Sequence, residues 1–101
     1  MFAILWEFVP ASGKEREFEH AYGPKGLWAE FFAGADGFLG TELLREADGE
    51  GPYLTMDRWR SPEDYDAFVS INKDAYAELD EECQVLTTRE FHRGSFEFVG
   101  A

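Results

Sequence analysis

Residues 2–9, FAILWEFV, place Phe2, Ile4, Trp6 and Phe8 on one face of an extended chain and Ala3, Leu5, Glu7 and Val9 on the other. That is the period of two that marks a strand. Both faces are largely apolar, whereas a sheet wetted on one side would carry polar residues at every second position, so protein cover is expected on both sides. Pro10 to Gly13 make a turn, and residues 14–22, KEREFEHAY, read as a helix with Phe18, Ala21 and Tyr22 on one stripe, ended by Gly23-Pro24. Residues 26–33, GLWAEFFA, read as a second short helix or a lid; Trp28, Phe31 and Phe32 are a heavy apolar load for a connecting segment.

Residues 38–45, FLGTELLR, and 53–59, YLTMDRW, read as two strands, and the connector DGEGP between them predicts antiparallel neighbours. Ser61-Pro62-Glu63-Asp64 is a helix start: Ser61 as N-cap, proline at the first helical position, and Asp64 three residues on to complete a capping box. The helix carries Tyr65, Phe68 and Val69 on one stripe, kinks near Ser70-Ile71-Asn72, and resumes with Tyr76, Leu79 and Cys83 at helical spacing. A fourth strand begins over 84–91, and Gly94-Ser95 either interrupt it or carry it through a bulge into Phe96–Val99.

The order β, α, β, β, α, β predicts an α+β fold of the ferredoxin-like kind, a four-stranded antiparallel sheet with the helices on one face. The doubly apolar first strand predicts that the other face packs on a second copy, giving a homodimer.

Composition narrows the partners. At 101 residues the chain reads as one domain, 1–101, and 45% hydrophobic with 17% aromatic residues is too apolar for a disordered chain. A formal charge of −12 repels nucleic acid and anionic membrane surfaces, so neither is expected as a partner. The apolar segments are too short to span a bilayer. Cys83 stands alone, which leaves no internal disulfide and no cysteine-based zinc site. The opening residues lack the pattern of a secretory signal, and a cytoplasmic location is expected.

No phosphate-binding, dinucleotide, zinc-protease, nucleophile-elbow or calcium-loop motif occurs. Glu15, Glu17, Glu19 and Asp80 to Glu82 read as solvated helix faces, so no metal is expected. His20, His92 and Arg58 are the weak candidates for catalysis, and none is paired in a recognisable motif. Arg58 and Arg60 could hold an anionic group or pair with the abundant carboxylates. Trp6, Trp28, Tyr65, Phe68 and Tyr76 are all directed by strand and helix parity into the space between sheet and helices. They read as ordinary core or as the walls of a pocket for a planar ligand.

The stretches FAILWEFVPASGKEREFEHAY, GFLGTELLR and YLTMDRWRSPEDYDAF resemble the antibiotic biosynthesis monooxygenase family, most of all at the junction where a strand ends in Trp59 and Ser61 starts a helix. The resemblance spans essentially the whole chain. It implies a homodimer whose two sheets form an α/β barrel, with a small-molecule pocket between each sheet and its own helices. It also implies oxidation of quinols or polycyclic phenols by dioxygen with no cofactor. The expectation is therefore a cofactor-independent monooxygenase of a small aromatic, quinol or polyphenol, with the five aromatics shaping the site. Two alternatives stand beside it: a non-catalytic dimeric module that binds a small ligand, and a cyclase or isomerase moving a proton with His20 or His92.

A haem-degrading branch of the same family uses an asparagine on the first strand and a tryptophan and a histidine on the helix after the junction. Here the first strand has no asparagine, Phe68 stands where that tryptophan is expected, and residues 61–83 contain no histidine. Haem degradation is not expected.

Overall fold

A computed structural model describes residues 1–100. Its elements run β1 (Phe2–Pro10), α1 (Glu15–Tyr22), α2 (Leu27–Phe32), β2 (Phe38–Leu44), β3 (Tyr53–Trp59), α3 (Pro62–Ile71), α4 (Lys73–Cys83) and β4 (Thr87–Glu97). The four strands form one antiparallel sheet in the order β2-β3-β1-β4. This is the ferredoxin-like arrangement expected from the element order, with each helical crossover broken into two helices.

The breaks have local causes. Gly23 and Gly26 bring the end of α1 onto the start of α2, and a Cβ on Gly26 would meet the His20 and Ala21 carbonyls at 2.1 and 2.6 Å. Asn72 separates α3 from α4, and its side-chain amide donates to the Phe68 carbonyl at 2.9 Å, taking up an acceptor at the end of α3. Ser61 caps α3 as expected, its Oγ accepting from the Asp64 N–H at 3.2 Å. The Asp64 carboxylate accepts from the Ser61 hydroxyl and from two Arg60 guanidinium nitrogens at 2.8 and 3.0 Å, which ties the strand end to the helix start.

The fourth strand starts later than expected. Gln84–Leu86 form a tight 3₁₀ turn that continues α4, held by the Ala11 N–H donating to the Leu86 carbonyl at 2.8 Å, and extended pairing begins only at Thr87. Gly94-Ser95 do not end the strand. Leu5 faces Gly94 and Trp6 faces His92, so Arg93 is the extra residue of a bulge, and Gly94 takes the positive φ of 140° that such a kink favours in glycine.

Alternation along β1 and β3 divides the sheet. Phe2, Ile4, Trp6 and Phe8 face the helices beside Tyr53, Thr55, Asp57 and Trp59, and with Phe18, Ala21, Tyr22, Trp28, Phe32 and Cys83 they enclose the buried cluster. The opposite face has no helix over it. It presents Leu5 beside Met56, Leu54 beside Leu44, and the exposed Phe91 and Phe96 on β4. Among the described residues no helix is long and apolar enough to cross a membrane.

Candidate functional site

Aromatic side chains make up most of the buried layer between sheet and helices, yet that layer is not uniformly filled. Around Trp59, with no exposed surface, Phe32, Phe38 and Tyr65 crowd edge-on with ring centres 5.3–5.4 Å away, and Phe68 lies at 6.0 Å. Toward β4 a cavity of about 60 Å³ opens. Trp6, Phe8, Tyr22, Trp28, Phe32 and Tyr76 form its walls, and the sheet beneath contributes Thr41, Thr55 and Asp57. Asp80 from α4 and Glu90 from β4 stand at its margin, where Glu90 is exposed.

The polar floor is set by register. Asp57 faces Thr41 across β2–β3 and Ile4 across β3–β1, while Thr55 faces Trp6. Thr41 and Thr55 are buried, and the Thr41 hydroxyl donates to the Asp57 carboxylate at 2.7 Å. Burial pushes Asp57 from the usual carboxylate range up to about 6, and the hydrogen bond from Thr41 offsets only part of that rise. Asp57 is partly exposed and lines the cavity. Burial also raises Tyr22, Tyr65 and Tyr76, so these phenols stay protonated as hydrogen-bond donors at neutral pH. Burial and the neighbouring Asp80 raise Glu90. An acid poised near neutrality beneath aromatic walls can accept a proton from a weakly acidic ligand.

Of the residues singled out by sequence, Trp6, Trp28 and Tyr76 come together on the cavity, with the Trp28 and Tyr76 rings edge-on at 5.1 Å. Tyr65 and Phe68 sit at the filled end of the layer, packed on Trp59. His92 is exposed outside the cavity lining with its ring 5.0 Å from Trp6, and His20 is exposed on α1. Arg58 projects from the opposite face of the sheet, over Gly40 and 3.7 Å from Glu42, and Arg60 is held by Asp64. The sequence reading did not single out Asp57 or Thr41, and it took Asp80, which stands at the cavity margin, for part of a solvated helix face. The available signal for Asp57 was parity: it shares a strand face with Tyr53, Thr55 and Trp59, and an acid among inward-facing positions is an anomaly. The segment 26–33 is a helix whose buried Trp28 and Phe32 form part of the cavity wall.

A family model described as antibiotic biosynthesis monooxygenase matches residues 1–72. The chain belongs to the antibiotic biosynthesis monooxygenase family. The family match ends at Asn72, the residue between α3 and α4, and the fold likeness continues beyond it. A mutant of SnoaB, a cofactor-independent oxygenase from Streptomyces nogalater, superposes with a TM-score of 0.79 at 22% identity, covering 99% of this chain and 94% of that one. PA3566 from Pseudomonas aeruginosa gives 0.70 at 13% identity, with 97% and 93% covered. The haem-degrader MhuD from Mycobacterium tuberculosis, with two haems bound in its active site, gives 0.67 at 23% identity, with 98% and 96% covered. At these identities the likeness establishes the fold. No curated protein matches the chain significantly.

Proposed function

We propose that this family member oxidises a small phenol or quinol with dioxygen and without a cofactor, in the cavity between sheet and helices. The observation that carries the reading is Asp57, a carboxylate with a raised proton affinity set beneath aromatic walls. Asp57 takes the phenolic proton, and the electron-rich phenolate passes one electron to dioxygen. The radical and superoxide combine at a ring carbon bearing hydrogen, and protonated Asp57 returns its proton to the peroxide. The oxygen–oxygen bond then breaks as water leaves, so one phenol and one dioxygen give one quinone and one water. The walls exclude bulk water from these intermediates. No histidine lines the cavity, which supports this chemistry over the haem-degrading branch.

At about 60 Å³ the cavity is smaller than the ~150 Å³ hole that accommodates benzene in an engineered core, so the ligand must displace part of the wall. The helix α4 is the part held least firmly, since Cys83 is its one buried residue and Asn72 breaks it from α3. Swinging α4 moves Tyr76 off Trp28 and widens the cavity. The uncovered sheet face, with Phe91 and Phe96 about half exposed, supports a homodimer closed through the two sheets. Light scattering during size exclusion should give twice the chain mass, and a stable monomer in dilute buffer would remove the dimer.

The small volume also supports a second reading, a dimeric module that binds a ligand without turning it over. An aerobic and anaerobic panel of phenols and quinols separates these readings. Quinone formation with stoichiometric oxygen uptake is expected for the oxygenase. Equal turnover without oxygen would point instead to a proton-moving cyclase or isomerase, and stoichiometric binding with no turnover to the module.

A further inference from the structure

The cavity floor holds one hydroxyl that the chain itself does not use. Thr55 is 3% exposed and lines the cavity, on the same inward face of β3 as Asp57 and opposite Trp6 on β1. No side-chain hydrogen bond among the described residues involves its Oγ1. The fully enclosed side-chain nitrogen and oxygen atoms without a partner are Trp28 Nε1, Arg58 Nε and Trp59 Nε1. The Thr55 hydroxyl is therefore unpaired without being sealed in, and the open space that its residue borders is the cavity.

The other hydroxyls around that space are engaged. Thr41 gives its one proton to Asp57 at 2.7 Å, the Tyr22 hydroxyl lies against Trp28 and Cys83, and the Tyr76 hydroxyl lies against Tyr65. A deeply buried hydroxyl without a partner costs more than a typical hydrogen bond contributes, which is why nearly every such group in a folded chain has one. Valine has the same shape and would fill the position without that cost. Register sets what the partner can be. Thr55 and Asp57 stand two residues apart on one strand face, about 7 Å along β3. A single aromatic ring lying along the strand spans most of that distance with oxygens at its opposite ends, and cannot do so with oxygens on neighbouring carbons.

We propose that Thr55 is the second anchor of the ligand and the residue that sets its selectivity: Asp57 takes the hydroxyl that ionises, and the Thr55 hydroxyl bonds an oxygen para to it. This rests on the cavity being the ligand site. It narrows the substrate class from phenols at large to single-ring compounds oxygenated at both ends of the ring, and it assigns that choice to one side chain. A ligand oxygen reproduces the hydrogen bond that water makes to an open hydroxyl, whereas a methyl group in the same place leaves the hydroxyl unpaired.

Three probes of similar size test it: hydroquinone, 4-methylphenol and catechol, titrated anaerobically by calorimetry against the full chain and against Thr55→Val and Thr55→Ser. The ratio of hydroquinone affinity to 4-methylphenol affinity should fall roughly fivefold from the parent to Thr55→Val, the weight of one neutral hydrogen bond. Thr55→Ser should keep the parent ratio, and catechol should bind the parent and Thr55→Val alike. In urea Thr55→Val should be at least as stable as the parent, since no hydrogen bond inside the chain is lost. An unchanged ratio in Thr55→Val, or an equal loss for hydroquinone and 4-methylphenol, would overturn the anchor and leave the cavity reading standing. A Thr55→Val that unfolds more easily than the parent would also overturn it, by showing that the hydroxyl serves the fold. Failure of all three probes to bind the parent would overturn the cavity reading and this inference with it.

Discussion

The two ends of the aromatic layer are built from similar side chains and differ in what the sheet places beneath them. At one end Trp59 sits under Phe32, Phe38, Tyr65 and Phe68 and is fully enclosed. At the other, Trp6, Trp28 and Tyr76 cover Thr41, Thr55 and Asp57, and a cavity remains. Small polar side chains cannot fill the space that a tryptophan fills. An inward carboxylate also needs room and a hydrogen-bond donor, which Thr41 supplies. The filled end therefore carries stability, and the floor of the gapped end, where the proposed function puts the chemistry, gives some stability up.

Breaking the filled end should have the largest effect. Trp59→Ala removes a fully enclosed ring and should cost about 3–5 kcal/mol, read from urea unfolding, enough to leave a domain of this size barely folded. The gapped end should respond with the opposite sign. The folded-state proton affinity of Asp57 lies above its ordinary value of 3.8, at about 6, so the folded chain binds more protons than the unfolded one between those pH values. Stability from this group is then fullest below about pH 4 and falls as pH rises through 6. Asp57→Asn should make the protein more stable at pH 8 by on the order of 2 kcal/mol and flatten its stability profile between pH 4 and 7. A variant less stable than the parent at pH 8 would contradict a desolvated carboxylate on the floor. The smallest effect belongs to the junction outside both ends: Ser61→Ala should cost about 1 kcal/mol through the lost cap, with ligand binding unchanged.

Much of the filled end was legible from local pattern. The strand alternation over 2–9 and 53–59, the Ser61-Pro62 helix start, and the break at Asn72 each depend on a few neighbouring residues, and each appears in the structure near its expected place. The delayed start of β4 was not legible, because residues 84–91 contain no glycine, proline or other turn residue, and only the anchoring of Leu86 by Ala11 marks their first three as a tight turn. The site was legible in part. Trp6, Trp28 and Tyr76 followed from face parity, since large aromatic residues on inward stripes have to meet. Asp57 was hidden inside the run DRWR, where the arginines were the visible candidates, and Asp80 inside DEE, which reads as a solvated helix face. Arg58 and Asp57 are adjacent in the chain and lie on opposite faces of the sheet, so of the two only Asp57 reaches the cavity. The Thr41–Asp57 contact depends on the pairing register of β2 with β3, a long-range property that no short window contains.

The most direct measurement is the pH dependence of oxygen uptake by the parent protein and Asp57→Asn, each supplied with a phenol or quinol that the parent turns over. The account predicts that the parent rate rises with pH through a midpoint near 6, and that the variant loses at least a hundredfold at every pH, the usual weight of a positioned general base. Oxygen uptake by Asp57→Asn at the parent's rate, with the same pH profile, would contradict it.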